Sequence, residues 1–388
     1  MIVINISNRQ KLKLNIDDFQ LPERIKKFLQ KNQEKVWLVG GAARDKLLGR
    51  EPRDYDFLVT NVNEKDLAQL LPAAEKVGQS FPVYLWRRAE FSWTTEQRPD
   101  QELKRRDFTV NALAAGLSDG KIIDPAAGLQ DLAEGLIRPL PGALEADPHR
   151  YYRALRFLAQ FSEFDLTGEC WQKLRNLHKN RIENIAVERV AEEFKIVLSA
   201  SRGERFFYAL SELEGLNHHF FWLKDSLPDS VKRWRTAYCL TEKEKLLFIA
   251  LALNTRAATE SENIRQYLPL AQKWYNAASI ASKSVPAIKK WRSISGEKLA
   301  RAYEGMKEGV LSPAEVIFIA TVCDLSEKNI NKVLQHNYYQ NLEEMWQRMS
   351  EEINGADLLE IMEPGPGLGQ ELINRRSEWI EKNRDNYS

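Results

Sequence analysis

The stretch VWLVGGAARDKLLGREPRDYDFLV, Val36 to Val59, constrains this chain more than any other. An apolar run with strand character, VWLVG, meets Gly40–Gly41, and the helical pattern AARDKLLG follows, closed by Gly49 as a C-terminal cap. A strand that turns through glycines into a helix brings backbone N–H groups and the positive helix end to one point, which suits an anion. Taken alone, Gly-Gly fits a tight turn that merely needs positive φ better than it fits an anion site. The acidic residues that follow reverse that weighing. Arg53 to Val59 reads as a strand, and a period of two puts Asp54 and Asp56 on the same face. Two carboxylates held side by side repel unless a cation lies between them. Hard oxygen donors suit Mg²⁺, which bridges carboxylates to nucleotide phosphates. By itself Asp-Tyr-Asp fits a solvated edge strand as well as a metal site. Behind a phosphate-binding turn the pair points to nucleotidyl transfer, with two-metal assistance to activate a hydroxyl and stabilise a pyrophosphate leaving group.

The rest of the chain surrounds that unit with more strand and helix, then with helix alone. LPERIKKFLQ is a short helix with proline near its start, and VYLW, EFSWT, NALAAGL and KIIDP are short strand candidates. EKDLAQLLPAAEKVG reads as one helix between them. From Asp147 onward apolar residues recur at three and four spacing, as in RYYRALRFLAQF, ERVAEEFKIVLSA and EKLLFIALAL. Ser312-Pro313-Ala314-Glu315 combines a capping box with proline at the first helical position, so a helix starts there. The expected fold class is α+β: a head with a small mixed sheet over residues 1–139, then an all-α neck (140–205), body (206–295) and tail (296–388). A length of 388 residues is in keeping with several domains. The formal net charge is only +1, so contact with nucleic acid must come from local basic patches. Cys170, Cys239 and Cys323 show no CxxC spacing, which suggests a reduced cytoplasmic setting without a structural metal. No signal peptide opens the chain and no apolar run approaches a membrane span.

With GGAARD, LLGR and DYD in this order, the sequence resembles the first motif of the class II tRNA nucleotidyltransferases and the related bacterial poly(A) polymerases. Both belong to the polymerase-β-like nucleotidyltransferase superfamily. LKRRDFTVNALA, Leu103 to Ala114, is similar to the second motif. Its Arg105, Arg106, Asp107 and Asn111 set cationic and amide donors beside an acceptor at a strand entrance, where they can clamp phosphate and ribose hydroxyls. A basic surface patch is the competing explanation. The resemblance implies that Asp54 and Asp56 are catalytic and hold Mg²⁺. It also implies that Gly40, Gly41 and Arg44 lie on the nucleotide side, with Arg106, Asp107 and Asn111 at ribose and phosphate. DPAAGLQDLAEGLIR, Asp124 to Arg138, matches the third motif, with a hinge-like structural role.

ADPHRYYRALRF, Ala146 to Phe157, matches the fourth motif. Asp147 and Arg150, three apart, are helix neighbours that can together mimic a Watson–Crick edge and select cytosine without a template, and Arg153 can reach the triphosphate. An ordinary intrahelical salt bridge is the alternative. The family usually has glutamate where Ala146 stands, and Glu145 would point elsewhere on a helix. Another residue then orients the arginine, or specificity is altered. IAVERVAEEFKIVL resembles the fifth motif, with Glu188, Arg189 and Glu193 bracing the neck helices. The motifs cover Val36 to Leu198 in the family's order.

Full CCA-adding relatives carry a flexible loop between the first two motifs, and here almost nothing separates Arg98 from Glu102. Missing that loop is the family mark of CC-adding enzymes, whose pocket is not re-shaped from CTP to ATP. A plain loop-length difference in an enzyme that still adds A is the alternative. VGQSFPVYL resembles the tRNA-type version of its segment, and no strongly basic C-terminal extension is present, both against a poly(A) polymerase. No HD dipeptide occurs in the C-terminal half. The resemblance thus implies a cytidylyltransferase acting on the tRNA 3′ end, with CTP and possibly ATP as nucleotide and the acceptor and TΨC arms as partner. A separate A-adding enzyme, and an RNA-binding protein that has lost catalysis, are the other readings. SVKRWRTAY and KKWRS can contact tRNA but fit ordinary helix surface better. EPGPGLGQEL is a turn opening a helix, where amides can hold a phosphate.

Overall fold

The computed structural model describes residues 11–78, 82–177, 179–306, 310–327, 338–359 and 366–387. Within the first part, helix α1 (Glu23–Asn32) leads into β1 (Val36–Val39), α2 (Gly40–Leu47), β2 (Tyr55–Val59) and α3 (Glu64–Leu70). Strands β3 (Glu75–Val77), β4 (Val83–Trp86) and β5 (Ala89–Trp93) follow, then the one-turn helix α4 (Asp100–Leu103), β6 (Ala114–Gly116) and β7 (Ile122–Ile123). They form one seven-stranded sheet in the order β3-β4-β5-β2-β1-β6-β7. β2 and β5 pair in parallel, and the other neighbours are antiparallel.

Alternation along β2 sorts its residues between two faces. Tyr55 and Phe57 point to one side, where Phe57 stacks on Phe91 of β5 at 5.2 Å and Phe28 of α1 meets Phe91 edge-on at 5.4 Å. Leu58 points to the other side, into a cluster with Val39, Leu103, Ala112, Ala114, Ile123, Leu140 and Ala143. Asp56 shares the Leu58 face by the same alternation. One strand therefore carries core on both sides and an acid at its N-terminal end.

α2 begins directly at the end of β1. Gly40 takes φ +65° and donates its N–H to the Leu113 carbonyl at 3.1 Å. The helix ends in a Schellman motif: Gly49 (φ +72°) donates to the Lys46 carbonyl at 3.1 Å and Arg50 to the Asp45 carbonyl at 2.8 Å. The cap expected at Gly49 is present.

Behind the sheet come α5 (Gly128–Glu134), β8 (Leu136–Ile137), α6 (Ala143–Ala146), α7 (Arg150–Gln160) and β9 (Asp165–Leu166), with β8 and β9 paired in parallel. The third motif is structural. The Asp124 carboxylate accepts from the N–H groups of Gly128 (2.8 Å) and Leu129 (2.9 Å) and so caps α5. Asp131 accepts from Arg138 and from the Thr109 hydroxyl at 2.6 Å.

Two local expectations are corrected. EKDLAQLLPAAEKVG is not one helix. α3 stops at Leu70 because Leu71 precedes Pro72, which disfavours helical backbone before it and has no N–H to continue the ladder. Glu75–Val77 then joins the sheet. Asp147 and Arg150 are not neighbours within one helix either. Asp147 precedes Pro148 and is extended (φ −140°, ψ 100°), ending α6, while α7 starts at Arg150.

The chain separates into two compact units, Met1–Asn184 and Ile185–Ser388. Residues 140–184, expected in a neck, thus fall in the unit that holds the sheet. In the second unit the described residues form helices. Glu244–Ala252 is apolar all round and buried from Leu246 to Ala252, so it forms the centre of that unit. Arg233 donates to the Ala250 (3.2 Å) and Leu253 (2.7 Å) carbonyls near its end. The fifth-motif helix is Val187–Leu198, with Glu193 buried. The capping box at Ser312 is present in both directions: Ser312 N–H to Glu315 Oε2 at 2.8 Å and Glu315 N–H to Ser312 Oγ at 3.3 Å. Trp234 and Trp291 of SVKRWRTAY and KKWRS are core residues and Arg233 is a brace, which leaves Lys232, Arg235, Lys290 and Arg292 outward. Residues 79–81 of VGQSFPVYL and 363–365 of EPGPGLGQEL lie outside the described residues. No described helix is long and apolar enough to cross a membrane.

Candidate active site

The acidic pair gains a third member from the sheet. In the parallel register of β2 and β5, Glu90 lies directly across from Asp56. Like charges at facing positions destabilise a sheet, so their placement here is not explained by folding. Burial holds the Asp56 carboxyl above its ordinary range. Asp54 adds to the rise, while the guanidinium groups of Arg106, Arg153 and Arg44 oppose it. Burial also raises Glu90, with Asp56 and Asp54 adding to the rise and Arg106 opposing it. Asp54 stands just before β2 with its side chain 63% exposed, open to whatever approaches. Two acids held above their ordinary range, Asp56 and Glu90, with the exposed Asp54 beside them, offer only oxygen donors and fit a divalent cation such as Mg²⁺. Among the described residues no group of His, Cys, Asp and Glu closes into a cage for a metal. Mg²⁺ commonly takes one or two carboxylates and completes its shell with water and substrate phosphates. Glu90 was not legible as a site residue. Its one signal was a lone acid in the apolar strand AEFSW.

The glycine turn lies against these acids. A Cβ at Gly40 would sit 3.2 Å from Asp56 Oδ2 and only 2.6 Å from Arg106 Nη1. The backbone passes this closely because the residue has no side chain and because φ +65° suits glycine. Carboxylate, guanidinium and the start of α2 therefore converge on one spot. Arg106 makes no side-chain hydrogen bond among the described residues, so its charge is available to an incoming anion. Gly41 faces Arg44, whose Nη2 would lie 3.5 Å from a Cβ there.

The second motif is a buried network. Asn111 donates from Nδ2 to Asp107 Oδ1 at 2.9 Å, and its Oδ1 accepts from Arg44 Nη1 at 2.6 Å. Asp107 also accepts from the Phe108 N–H at 2.8 Å and from Arg153 Nε of α7. Burial alone would raise the Asp107 carboxyl, but Arg153, Asn111 and the Phe108 amide bring it down to about 2. Arg44 is buried, bonds Asp45 at 2.7 and 2.9 Å, and lies 4.6 Å from the ring centroid of Phe161. Its guanidinium thereby holds Asn111 in place. Asp107 is likewise occupied by protein donors on both oxygens.

From α7, Arg150 donates to the main-chain carbonyls of Arg106 (3.2 Å), Ala143 (3.1 Å) and Arg105 (3.0 Å). Asp147 Oδ1 accepts from the His149 N–H at 3.1 Å. The fourth motif thus comes beside the second through Arg150–Arg106 and Arg153–Asp107. Ala146 and Glu145 are exposed at the end of α6. Between β5 and α4 the chain needs only Thr94–Pro99.

The chain is similar to several known proteins. Residues 36–95 and 86–138 match the family described as the poly A polymerase head domain. Residues 163–224 match the family described as "probable RNA and SrmB-binding site of polymerase A". The multifunctional CCA protein of Nitrosococcus oceani is 35% identical over 196 residues, covering 45% of this chain and 47% of that protein. That of Aromatoleum aromaticum is 33% identical over 199 residues, 46% of this chain and 48% of that protein. The chain spans about half the length of these curated relatives in the matched region. Among solved structures, a CCA-adding enzyme with CTP superposes with TM-score 0.68 at 19% identity, covering 94% of this chain and 96% of that one. The Thermotoga maritima CCA-adding enzyme complexed with tRNA gives 0.65 at 20% identity, covering 96% and 98%. At that identity the likeness establishes a shared fold along nearly the whole chain.

Proposed function

We propose that the chain, whose residues 36–138 match the poly A polymerase head domain, is a class II tRNA nucleotidyltransferase that extends the tRNA 3′ end with cytidine from CTP, without a template. The observation that carries this reading is the convergence of Asp54, Asp56 and Glu90 with Arg106 and the Gly40 turn. In the reaction the 3′ hydroxyl oxygen bonds to the α-phosphorus of CTP, the α–β bridging bond breaks, and pyrophosphate leaves while the hydroxyl proton is lost. Asp54 and Asp56, with Glu90 beside them, would hold Mg²⁺. Bound there, one or two ions would activate the hydroxyl and stabilise charge on the phosphates. Arg106 and the N–H of Gly41 at the start of α2 receive the triphosphate on its other side, with Gly40 leaving the space for its approach. Arg44 fixes Asn111, and Asn111 with Arg153 fixes Asp107, so the ribose-side network is set before nucleotide arrives. Arg150, anchored on the Arg105 and Arg106 carbonyls, is placed with Asp147 to meet the base edge. A cytoplasmic setting follows from tRNA as the substrate.

The short Thr94–Pro99 connection supports addition that stops at two cytidines, since it leaves no loop to re-shape the pocket for ATP. Full CCA addition is the second reading, favoured by relatives named as CCA-adding enzymes and multifunctional CCA proteins. One experiment separates them. Purified protein is incubated with Mg²⁺, CTP, ATP and tRNA ending at its discriminator base, and products are sized at nucleotide resolution. Extension by two supports the proposal, and extension by three refutes the CC limit. Extension only of tRNA already ending in CC points to A addition, and long adenylate tails to a polymerase. No extension, with tRNA binding retained by a D54A/D56A variant, leaves an RNA-binding protein.

A further inference from the structure

We propose that Arg88 is the positioning residue for Asp54, and so sets the spacing between Asp54, Asp56 and Glu90. The inference rests on the reading of these acids as metal ligands. Asp54 lies before β2, outside the ladder of strand hydrogen bonds, so the sheet itself does not hold it. Arg88 supplies that hold from both sides. Its Nε donates to the Arg53 carbonyl at 2.9 Å, and its Nη2 donates to the Pro52 carbonyl at 3.1 Å and also to that of Arg53. On the far side of Asp54, the Tyr55 N–H donates to the Arg88 carbonyl at 2.8 Å. A single residue therefore brackets the peptide that carries Asp54.

The origin of that bracket makes it specific to the site. Arg88 follows Arg87, which takes φ +59° in the turn between β4 and β5. Two residues further along β5 stands Glu90, opposite Asp56. The bracket thus ties Asp54 to the hairpin that carries the third acid. The remaining donor, Nη1, reaches the exposed Gln20 Oε1 at 3.1 Å and does not touch the Asp54 peptide. A planar fork can join two successive carbonyls at once, which a lysine ammonium cannot do with the same geometry. The Asp54 carboxylate itself, beyond an Arg53 contact at 4.0 Å, is held by no side-chain donor among the described residues, so the position of its backbone decides where it points.

The test uses the full chain and two readouts: Mn²⁺ binding, followed by the electron paramagnetic resonance of the free ion, and steady-state CTP addition to tRNA. R88Q is expected to weaken Mn²⁺ binding and lower kcat by about tenfold each, with the CTP KM changed less than about twofold. R88K should recover part of both, and Q20A should match the unmodified protein. If folded R88Q or R88K binds Mn²⁺ as tightly as the unmodified protein and only its Tm falls, Arg88 merely fastens the hairpin and the proposal is overturned. Mn²⁺ binding that survives D54A would instead refute the metal reading of the acids, and the Arg88 role would fall with it.

Discussion

Alanine at Gly40, compared with alanine at Gly49, separates backbone strain from the geometry of the site. Both glycines bracket α2 and both lie in the left-handed region, at φ +65° and +72°. Placing alanine there costs about 1 kcal/mol at either position. Around Gly49 nothing lies within 4 Å of the new Cβ, so that strain is the whole effect. At Gly40 the Cβ would meet Arg106 Nη1 at 2.6 Å and Asp56 Oδ2 at 3.2 Å. Arg106 is the end of a long side chain and can swing aside, which keeps the added stability loss small. A total of about 1–2 kcal/mol corresponds to a Tm fall of roughly 2–4 °C per kcal/mol in a unit of this size. The swing has a larger consequence for function, because Arg106 is the strongest charge opposing burial at Asp56. G40A should therefore lose on the order of 10²-fold in kcat/KM, whereas G49A keeps activity near that of the unmodified protein. The assay pairs thermal denaturation by circular dichroism with initial rates of CTP addition to tRNA. G40A and G49A proteins with matching Tm and rates within about threefold of one another would refute the placement of Gly40 in the site.

Two further outcomes follow from the ionisation of the acids. Because Asp56 is raised in the folded protein, its charged form weakens the fold as pH climbs from the ordinary carboxylate range through the raised value, and the penalty is absent below it. D56N should then raise the Tm at pH 7 in metal-free buffer while abolishing nucleotide addition, and Mg²⁺ should raise the Tm of the unmodified protein but not of D56N; a folded D56N with lowered Tm contradicts the electrostatic account. Asp107 runs the opposite way: its depressed carboxyl, at about 2, stabilises the fold above the ordinary carboxylate range, and that gain is lost as pH falls toward about 2. D107N should lose about 1–3 kcal/mol in urea titrations at pH 7, the lower end reflecting the part-exposed Arg153 partner, and progressively less toward pH 2. A loss independent of pH argues against the Arg153–Asp107–Asn111 network.

Local chemistry determined much of this protein. Gly40 and Gly49 punctuate α2 because each meets a left-handed backbone that only its missing side chain relieves, and Ser312 starts its helix by a two-way cap among four successive residues. The alternation expected from Arg53 to Val59 holds only from Tyr55, where β2 begins, so it places Asp56 with Leu58 but leaves Asp54 outside the strand. Where the sequence alone misled, a neighbour decided the outcome. Proline turned Leu71 and Asp147 out of helices that the apolar pattern would have continued, so Asp147 and Arg150 meet at a helix start instead of along one face. Nothing in the chain around Arg44 shows which distant groups its guanidinium meets. Only the buried rings of Phe157 and Phe161 and the amide of Asn111, far along the chain, turn its guanidinium inward. Glu90 and Arg88 became legible for the same reason. Parallel pairing of β2 with β5 is a long-range choice made by the packing of Phe57 on Phe91, and that register places Glu90 against Asp56 and folds Arg88 around Asp54.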